Sequence, residues 1–413
     1  MLFLLVLILS LSPFFATSFF PIVDAPAHLY NSSLIKQMII DKNEFLWDNL
    51  AFNDKPVPNW TSHFLMSVLL IFFSPHITEK ILLTLIFAGI PLAVRYAFSA
   101  INSERKYLSL LAIPVAYNCF SGIGFYNFSF GLAMIFLNLG FFYRHLLRKD
   151  TRTRNYFIFS VLLIVTFMCH PVPLMITLIL SGLLYIWFHA GHYGSKLKNW
   201  FSKKLLFLMA ATIPLLCLLF FYSKAMYTGA ERSFLYLSGA ELVDNIWSGR
   251  SFMVFGGAER PRNTLIAFFY LSLFFMGLYT FIADFKKKLQ KGLQFYILIF
   301  VLVILALYAY FPDSDGTGSY ITLRLAIILN LAIILFAFVS PVSNKLLLIV
   351  VVLTLTVNFF RLSFYKKTIS ENYSIAGRVL EQEGRIEPGS YVVSFNMVCN
   401  FINVIYSNYL WLT

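Results

Sequence analysis

Charged residues are scarce in this sequence of 413 residues: Asp, Glu, Lys and Arg together make up 12%. Soluble domains carry about 25% charged residues, so the composition excludes an ordinary soluble protein. Acidic residues are rarer than basic residues, with 19 Asp and Glu against 32 Lys and Arg, so the formal net charge is +13. Many basic residues lie in short loops between apolar segments, which is typical of cytoplasmic loops and not of a nucleic-acid surface.

Sequence motifs for several common activities are absent. The chain has no P-loop, no HExxH, no GxSxG between strand and helix, and no Cys/His cluster. ATP-driven transport and zinc hydrolysis are therefore unsupported. The four cysteines provide no disulfide framework, because Cys119, Cys169 and Cys217 lie inside apolar segments, where a thiol behaves as a small apolar side chain. No internal repeat is visible, which disfavours transporter folds built on inverted repeats.

Apolar residues are abundant, at 59% of the chain with a mean hydropathy of +0.76. They occur in runs, and a run of about 20 apolar residues spans the hydrocarbon layer as a helix. The first run lacks a basic n-region and a cleavage site, so we interpret it as a retained helix. The sequence predicts an all-α polytopic membrane protein with about eleven crossings, at 2–20, 78–99, 107–121, 125–143, 155–169, 172–188, 203–222, 263–283, 292–311, 321–339 and 345–364.

A twelfth apolar run, residues 60–74, is expected to be juxtamembrane or re-entrant. It is short and begins after two prolines, and if it crosses, the basic short loops cannot all be cytoplasmic together with an outer first loop. Without it, the charge bias places the N-terminus inside and the C-terminus outside. The predicted bundle covers residues 1–364, with long outer loops at 21–77 and 223–262.

Two outer segments have the patterns of folded structure. Residues 29–52 have the apolar spacing of outer-face amphipathic helices. The pattern of residues 365–413 predicts a small extracytoplasmic α/β segment, with a helix at 374–382 and a strand at 391–395. This segment has the pattern of the start of an outer domain, either truncated or very small.

The stretch Asp24-Ala25-Pro26-Ala27-His28 directly follows the first predicted helix. A carboxylate at the mouth of a helix bundle is partly desolvated, so Asp24 can act as a base or a metal ligand. His28 lies four residues later, and if Pro26 opens a helix, both side chains face one cavity. The alternative interpretation is that Asp24 is only the N-cap of an interfacial helix.

The wider pattern resembles the first outer loop of C-type membrane glycosyltransferases (GT-C), such as protein O-mannosyltransferases and the aminoarabinose transferases of lipid A. The resemblance rests on Asp24, the amphipathic outer helices, the stretch Lys55-Pro56-Val57-Pro58-Asn59-Trp60 and the apolar helix after it. It departs from that family's pattern in two ways: Ala25 follows Asp24 where some members have a second acid, and no acid occurs in the turn 122–131.

The resemblance implies a glycosyltransferase of the bacterial inner membrane. It would move a sugar from a polyprenyl-phosphate donor to a lipid, glycan or protein acceptor on the extracytoplasmic face. Asp24 would be the catalytic carboxylate, assisted by His28, and sometimes such a group acts through a divalent metal ion. No other cofactor is implied, and the remaining partners are membrane lipids.

Further candidate substrate-binding residues each have a simpler structural alternative. Asn127 lines a sugar site, or its neighbourhood is only a helix bend. His170 is an ionisable group at membrane depth, or it caps a helix end broken by proline. Arg324 binds the lipid phosphate with its planar fork, or it snorkels or pairs with Asp313 or Asp315.

Two more basic residues in the outer loops are candidates for phosphate contacts. They are Lys55 in the first loop and Arg260 in the second, where mixed charge is most often a solvated surface. Two other functions remain open: a lipid or glycan transporter or flippase, and a GT-C-like scaffold without activity.

Overall fold

The computed structural model describes residues 2–18, 20, 22–148, 152–193, 203–226, 233–283, 292–316 and 318–380. This part of the chain is helical and contains no β-strand. The α-helices are α1 Leu2–Leu11, α2 Ala25–Ile39, α3 Glu44–Asn49, α4 Thr61–Leu69, α5 Pro75–Ile101, α6 Ala112–Ala116, α7 Cys119–Ile123, α8 Tyr126–Phe141, α9 Thr153–Cys169, α10 Pro171–Tyr193, α11 Lys203–Met226, α12 Gly239–Trp247, α13 Arg260–Ala283, α14 Leu293–Tyr310, α15 Ile321–Val339 and α16 Asn344–Leu380.

Eight helices of the described part are long and apolar enough to cross a membrane: α5, α8, α10, α11, α13, α14, α15 and α16. The predicted all-α, multi-pass class is therefore confirmed. Two shorter apolar helices, Leu2–Phe15 and Thr153–Cys169, coincide with two further predicted spans. The total of eleven crossings stays a prediction.

The predicted span 107–121 is not one continuous helix. It consists of a 3-10 segment and the two five-residue helices α6 and α7. The chain breaks because the Asn118 side chain accepts hydrogen bonds from two amides of α7, in a capping box. The buried carbonyls of Pro114 and Tyr117 accept hydrogen bonds from Arg361 of α16. Irregular backbone at membrane depth needs such internal partners, because lipid supplies none.

The apolar run 60–74 contains the helix α4, which has nine residues. At 1.5 Å per residue such a helix covers about 13 Å, well short of the roughly 30 Å of the hydrocarbon core. The Trp60 amide at its start donates a hydrogen bond to the Met168 carbonyl, which ties α4 to the end of α9.

The long helices differ greatly in how deeply they are buried in the protein. In α15, 89% of the apolar window is buried, whereas in α11 only 17% is buried. Helix α15 is therefore the central helix of the bundle, and α11 lies at its edge. Small residues allow close packing elsewhere: a Cβ at Gly131 would lie 2.5 Å from the Pro173 ring, so α8 and α10 approach closely there.

The final membrane helix extends further than predicted. Helix α16 continues without a break from Asn344 to Leu380, so the described part of the helix predicted at 374–382 belongs to α16 and is not a separate element. The segment between 365 and 374 contains neither Pro nor Gly to end the helix. The strand predicted at 391–395 lies outside the described residues.

Candidate functional site

A polar cavity of about 300 Å³ lies where five distant parts of the chain meet. These parts are the N-terminus of α2, the start of α4, the start of α8, the turn between α9 and α10, and the first turn of α15. Five of the seven predicted site residues line this site cavity: Asp24, His28, Asn127, His170 and Arg324. Its other lining residues are Asn59, His63, Phe125, Tyr126 and Phe128.

Asp24 occupies the N-cap position of α2, as the simpler interpretation expects, but its side chain makes no cap hydrogen bond. The carboxylate is therefore available to the site cavity. Its backbone amide donates to the Ile123 carbonyl at 2.8 Å. Gly124 adopts φ +102°, and a Cβ there would lie 3.0 Å from the Asp24 Cβ, so the close approach requires glycine. Burial raises the pKa of Asp24, which makes it a stronger base than an exposed aspartate.

His28 faces a second histidine that the sequence reasoning did not select. The His28 Nδ1 lies 3.3 Å from the His63 Nε2. Burial lowers the pKa of His28 to about 3, with a further contribution from the charge of His63, and burial also lowers the pKa of His63. Both imidazoles are therefore neutral at pH 7. A sequence signal existed, because His63 is an ionisable residue within an apolar run.

Asn127 acts mainly as an anchor for α4. Its Oδ1 accepts a hydrogen bond from the Ser62 amide at 2.7 Å, and its Nδ2 donates to the Asn59 carbonyl at 2.8 Å. Both ends of the amide are thus committed to the first turn of α4. Through these bonds Asn127 holds α4, which carries His63, against α8.

His170 both caps a helix and lines the cavity, so the two interpretations offered by the sequence are compatible. Its Nδ1 accepts a hydrogen bond from the Val172 amide at 3.1 Å, at the start of α10. A neutral ring that accepts at Nδ1 carries its proton on Nε2, where it is a hydrogen-bond donor. Burial, with the nearby charge of Arg324, lowers the pKa of His170 to about 3. The ring meets Phe128 edge-on, with centroids 5.5 Å apart.

Arg324 lies in the first turn of α15 and rests on three phenyl rings. Its guanidinium carbon is 5.4 Å, 5.3 Å and 5.7 Å from the ring centroids of Phe120, Phe125 and Phe128. Such cation–π contacts orient a guanidinium but do not use its hydrogen-bond donors.

The acidic residues expected as alternative partners of Arg324 have other bonds. Asp313 accepts hydrogen bonds from the amide and the hydroxyl of Thr322. Asp315 accepts one from the Gly318 amide at 2.7 Å. No ion pair within 4.0 Å joins either carboxylate to Arg324 in the described residues.

The site cavity contains buried polar atoms without a hydrogen-bond partner among the described residues. They are the His63 Nδ1, the Tyr126 hydroxyl and the Arg324 Nε. A buried polar group left unpaired costs about 1–3 kcal/mol, and native proteins rarely leave such groups without protein, water or ligand. Three such atoms belong to residues that line one cavity, and each could pair with a polar ligand or an ordered water.

Lys55 and Arg260 lie outside the site cavity. Lys55 is exposed in the loop before α4. Arg260 forms an ion pair with Asp244, and both side chains are about half exposed. Their predicted phosphate contacts stay predictions.

No group of three or more His, Cys, Asp or Glu side chains with metal-binding geometry occurs in the described ranges. Comparison with protein-family models, curated proteins and solved structures finds no significant match.

Proposed function

We propose that this chain is a GT-C-type glycosyltransferase that moves a sugar from a polyprenyl-phosphate donor to an acceptor on the extracytoplasmic face. One observation carries the proposal: a single cavity is lined by an available carboxylate, Asp24, and by Arg324, whose Nε has no hydrogen-bond partner among the described residues. The first can remove a proton, and the second can bind a phosphate.

Two groups of residues with different chemistry line the cavity. In the first, the ring of Tyr126 lies 5.1 Å from that of His28, and Asp24 lies in the same neighbourhood. In the second, His170 and Arg324 are close enough for the arginine charge to act on the imidazole. A base and a cation in one cavity match a displacement in which a proton leaves one reactant while negative charge develops on the other.

In the proposed step, the acceptor hydroxyl oxygen attacks C1 of the donor sugar and inverts it. Its proton passes to Asp24 as the new C–O bond forms. The bond from C1 to the phosphate oxygen breaks, and its electron pair remains on the phosphate. Arg324 and the Nε2–H of His170 stabilise that phosphate by charge-assisted hydrogen bonds. His28, whose Nδ1 lies against the His63 Nε2, lines the cavity beside Asp24 as a neutral imidazole.

The resemblance to GT-C enzymes implies that Asp24 can bind a divalent metal ion. The donor set of the cavity fits such an ion incompletely. Asp24, His28 and His63 all line the cavity, but they do not form a metal-binding group. The proposed step therefore uses only protein side chains. Loss of activity in a chelator, restored by one metal, would assign Asp24 to a ligand role.

The proposed topology has eleven crossings, with the N-terminus inside and the C-terminus outside the bacterial inner membrane. It requires that 60–74 does not cross, which the nine-residue length of α4 supports. Cysteines introduced at Asn53 and Ser74 should both react with an impermeant reagent added from the outer side. Labelling from opposite sides would show that this segment crosses.

The activity test is Asp24→Asn, with Asp54→Asn as the matched control in the same loop. Asparagine keeps the shape but removes the base, so transfer from a polyprenyl-phosphate sugar should fall by about 10²-fold or more. Exposed Asp54 lies outside the cavity, so its variant should keep full activity. Both proteins should elute as folded monodisperse species.

Full activity of Asp24→Asn would mean that Asp24 is only the N-cap residue of α2 and not a catalytic base. No transfer by the wild-type protein, with lipid-phosphate binding retained, would favour the inactive scaffold.

A transporter or flippase is the second candidate, because a cavity of about 580 Å³ lies at the opposite end of α15. Between the two cavities, α15 is apolar and buried from Leu325 to Phe338 except for Asn330, which bonds to the Ala326 carbonyl and the Ser251 hydroxyl. A polar substrate would need a polar path there. Movement of labelled lipid across proteoliposomes without sugar transfer would establish the transporter.

A further inference from the structure

Helix α12, in the second outer loop, packs on the protein with only part of its apolar surface. Leu242 and Ile246 pack against the buried cluster that α14 and α15 form, and Asn245, on the same face of the helix, is 1% exposed. Val243 and Trp247 lie together on another face, because they are four residues apart, and they are 68% and 57% exposed. The helix therefore buries an asparagine while it exposes a valine and a tryptophan.

The acidic residues of α12 form a third face. Glu241 accepts hydrogen bonds from the amide and the hydroxyl of Ser238, and Asp244 pairs with Arg260. Both acidic residues are exposed. Since an α-helix turns about 100° per residue, the protein face, the exposed apolar face and the acidic face point about 120° apart. Three such faces fit a helix that lies where protein, lipid and water meet.

Two hydrogen bonds place α12 level with the ends of two membrane helices. The Leu242 carbonyl accepts a hydrogen bond at 2.7 Å from the hydroxyl of Tyr308, two residues before the end of α14. The Ser248 carbonyl accepts one at 3.4 Å from the hydroxyl of Thr264, near the start of α13. Tyr310, which ends α14, is 81% exposed. The ends of membrane helices lie near the lipid head groups, where tryptophan and tyrosine are enriched.

The segment before α12 adds to the exposed apolar surface. Phe234, Leu235 and Tyr236 are all exposed. Their position is fixed, because the Leu235 amide donates a hydrogen bond at 2.9 Å to the Ser314 carbonyl in the loop before α15. Residues 234–236 and α12 thus present five large apolar side chains within one loop.

We propose that α12 and residues 234–236 insert these apolar side chains into the bilayer at the boundary between head groups and acyl chains. The second outer loop is then anchored to lipid as well as to the helix bundle. Lipid is the expected partner because α12 packs on α13, of whose apolar window only 28% is buried in the protein, so lipid already surrounds α13. Helix α12 contains no Lys or Arg, so the attraction is apolar and requires no anionic lipid. The inference does not depend on the proposed function.

The test uses a nitroxide spin label on one introduced cysteine in the full chain, purified into nanodiscs of neutral phosphatidylcholine. The native cysteines that react with the label are first changed to serine. Val243→Cys and Trp247→Cys report the apolar face. Asp244→Cys is the matched control, since Asp244 is adjacent in sequence but lies on the acidic face. Leu353→Cys, exposed on the membrane helix α16, is the lipid reference. The melting temperature of each labelled protein establishes that it is folded.

Collisions of the label with oxygen and with a water-soluble nickel chelate distinguish three surroundings, because oxygen concentrates in lipid and the chelate stays in water. The ratio of oxygen to nickel collisions at 243 and 247 should be severalfold higher than at 244 and should approach that at 353. Nickel collisions at 243 and 247 as frequent as at 244 would overturn the inference, since the face would lie in water. Few collisions with either reagent would show that protein, such as a second copy of this chain, covers the face, and would overturn the choice of lipid.

Discussion

Two arginines in the membrane helices differ in their hydrogen-bond partners. Arg361 is fully buried, and its Nε donates to the Tyr365 hydroxyl at 2.6 Å. Another of its nitrogens donates to the carbonyls of Pro114 and Tyr117. Arg324 rests on phenyl rings, and its buried Nε has no hydrogen-bond partner among the described residues.

The surroundings of Arg361 form a network that includes an acid. The Tyr365 hydroxyl donates to the Glu259 Oε2 at 2.8 Å, and Glu259 is fully buried. The same carboxylate accepts hydrogen bonds from the amides of Val254, Phe255 and Gly256. This network connects α16 to the loop before α13 and closes the break between α6 and α7.

The comparison shows how to separate structural from functional charge in a membrane protein. A buried charge costs free energy unless partners satisfy it. For Arg361 the protein supplies most of the partners, so its role is to hold the fold. For Arg324 three phenyl rings supply orientation, but the described residues supply no hydrogen-bond acceptor to its Nε. A ligand phosphate would supply such an acceptor. The predictions below test this distinction, from the largest expected effect to the smallest.

The largest effect is expected from Arg361→Met. It leaves Glu259 and two carbonyls without their cation, so the free energy of unfolding should fall by about 3–5 kcal/mol. The matched change Arg324→Met should cost about 1 kcal/mol or less, because methionine retains contact with the three rings. Unfolding in mixed micelles measures both. Equal losses would mean that Arg324 is also structural.

The next effect concerns phosphate recognition by Arg324. Lysine keeps the charge but loses the planar fork, so Arg324→Lys should weaken polyprenyl-phosphate binding by about tenfold. Arg324→Ala should weaken it more, because the charge is lost as well. Arg260→Lys, in an exposed ion pair outside the cavity, is the control and should bind like the wild type. Equal affinity in all variants would remove Arg324 from the site.

The smallest effect is a loss of stability in mild acid caused by the buried histidines. The folded-state pKa of His170 is lowered to about 3, whereas in the unfolded chain it is 6.5. The unfolded state therefore binds more protons as the pH falls from 6.5 towards 3, and stability falls with it. At pH 6 the loss from one such histidine is about 1 kcal/mol.

The variant His170→Asn isolates this contribution. Asparagine retains an acceptor for the start of α10 but does not titrate. The difference in melting temperature between pH 7 and pH 6 should therefore be smaller in this variant than in the wild type. An unchanged difference would mean that His170 is protonated in the folded protein.

The predictable part of the site came from residues whose chemistry conflicts with their surroundings. Asp24 and Arg324 stand out in the sequence because charges are rare beside apolar runs, and the structure brings both to one cavity. His63 lacked a pattern that paired it with His28, because 35 residues separate them. Arg361 passed unnoticed inside an apolar run, although an arginine there is itself a signal.

Composition and hydropathy alone determined that this is a multi-pass helical membrane protein, because lipid offers the backbone no hydrogen-bond partners and each spanning segment must satisfy its own. Such local patterns do not specify which helix ends meet. Only the tertiary structure decided that Asp24, His63, His170 and Arg324 share a cavity, and that the run 107–121 breaks. Both outcomes depend on contacts between helices far apart in sequence, where the fit of side chains and the bonds of one buried arginine outweigh local preference.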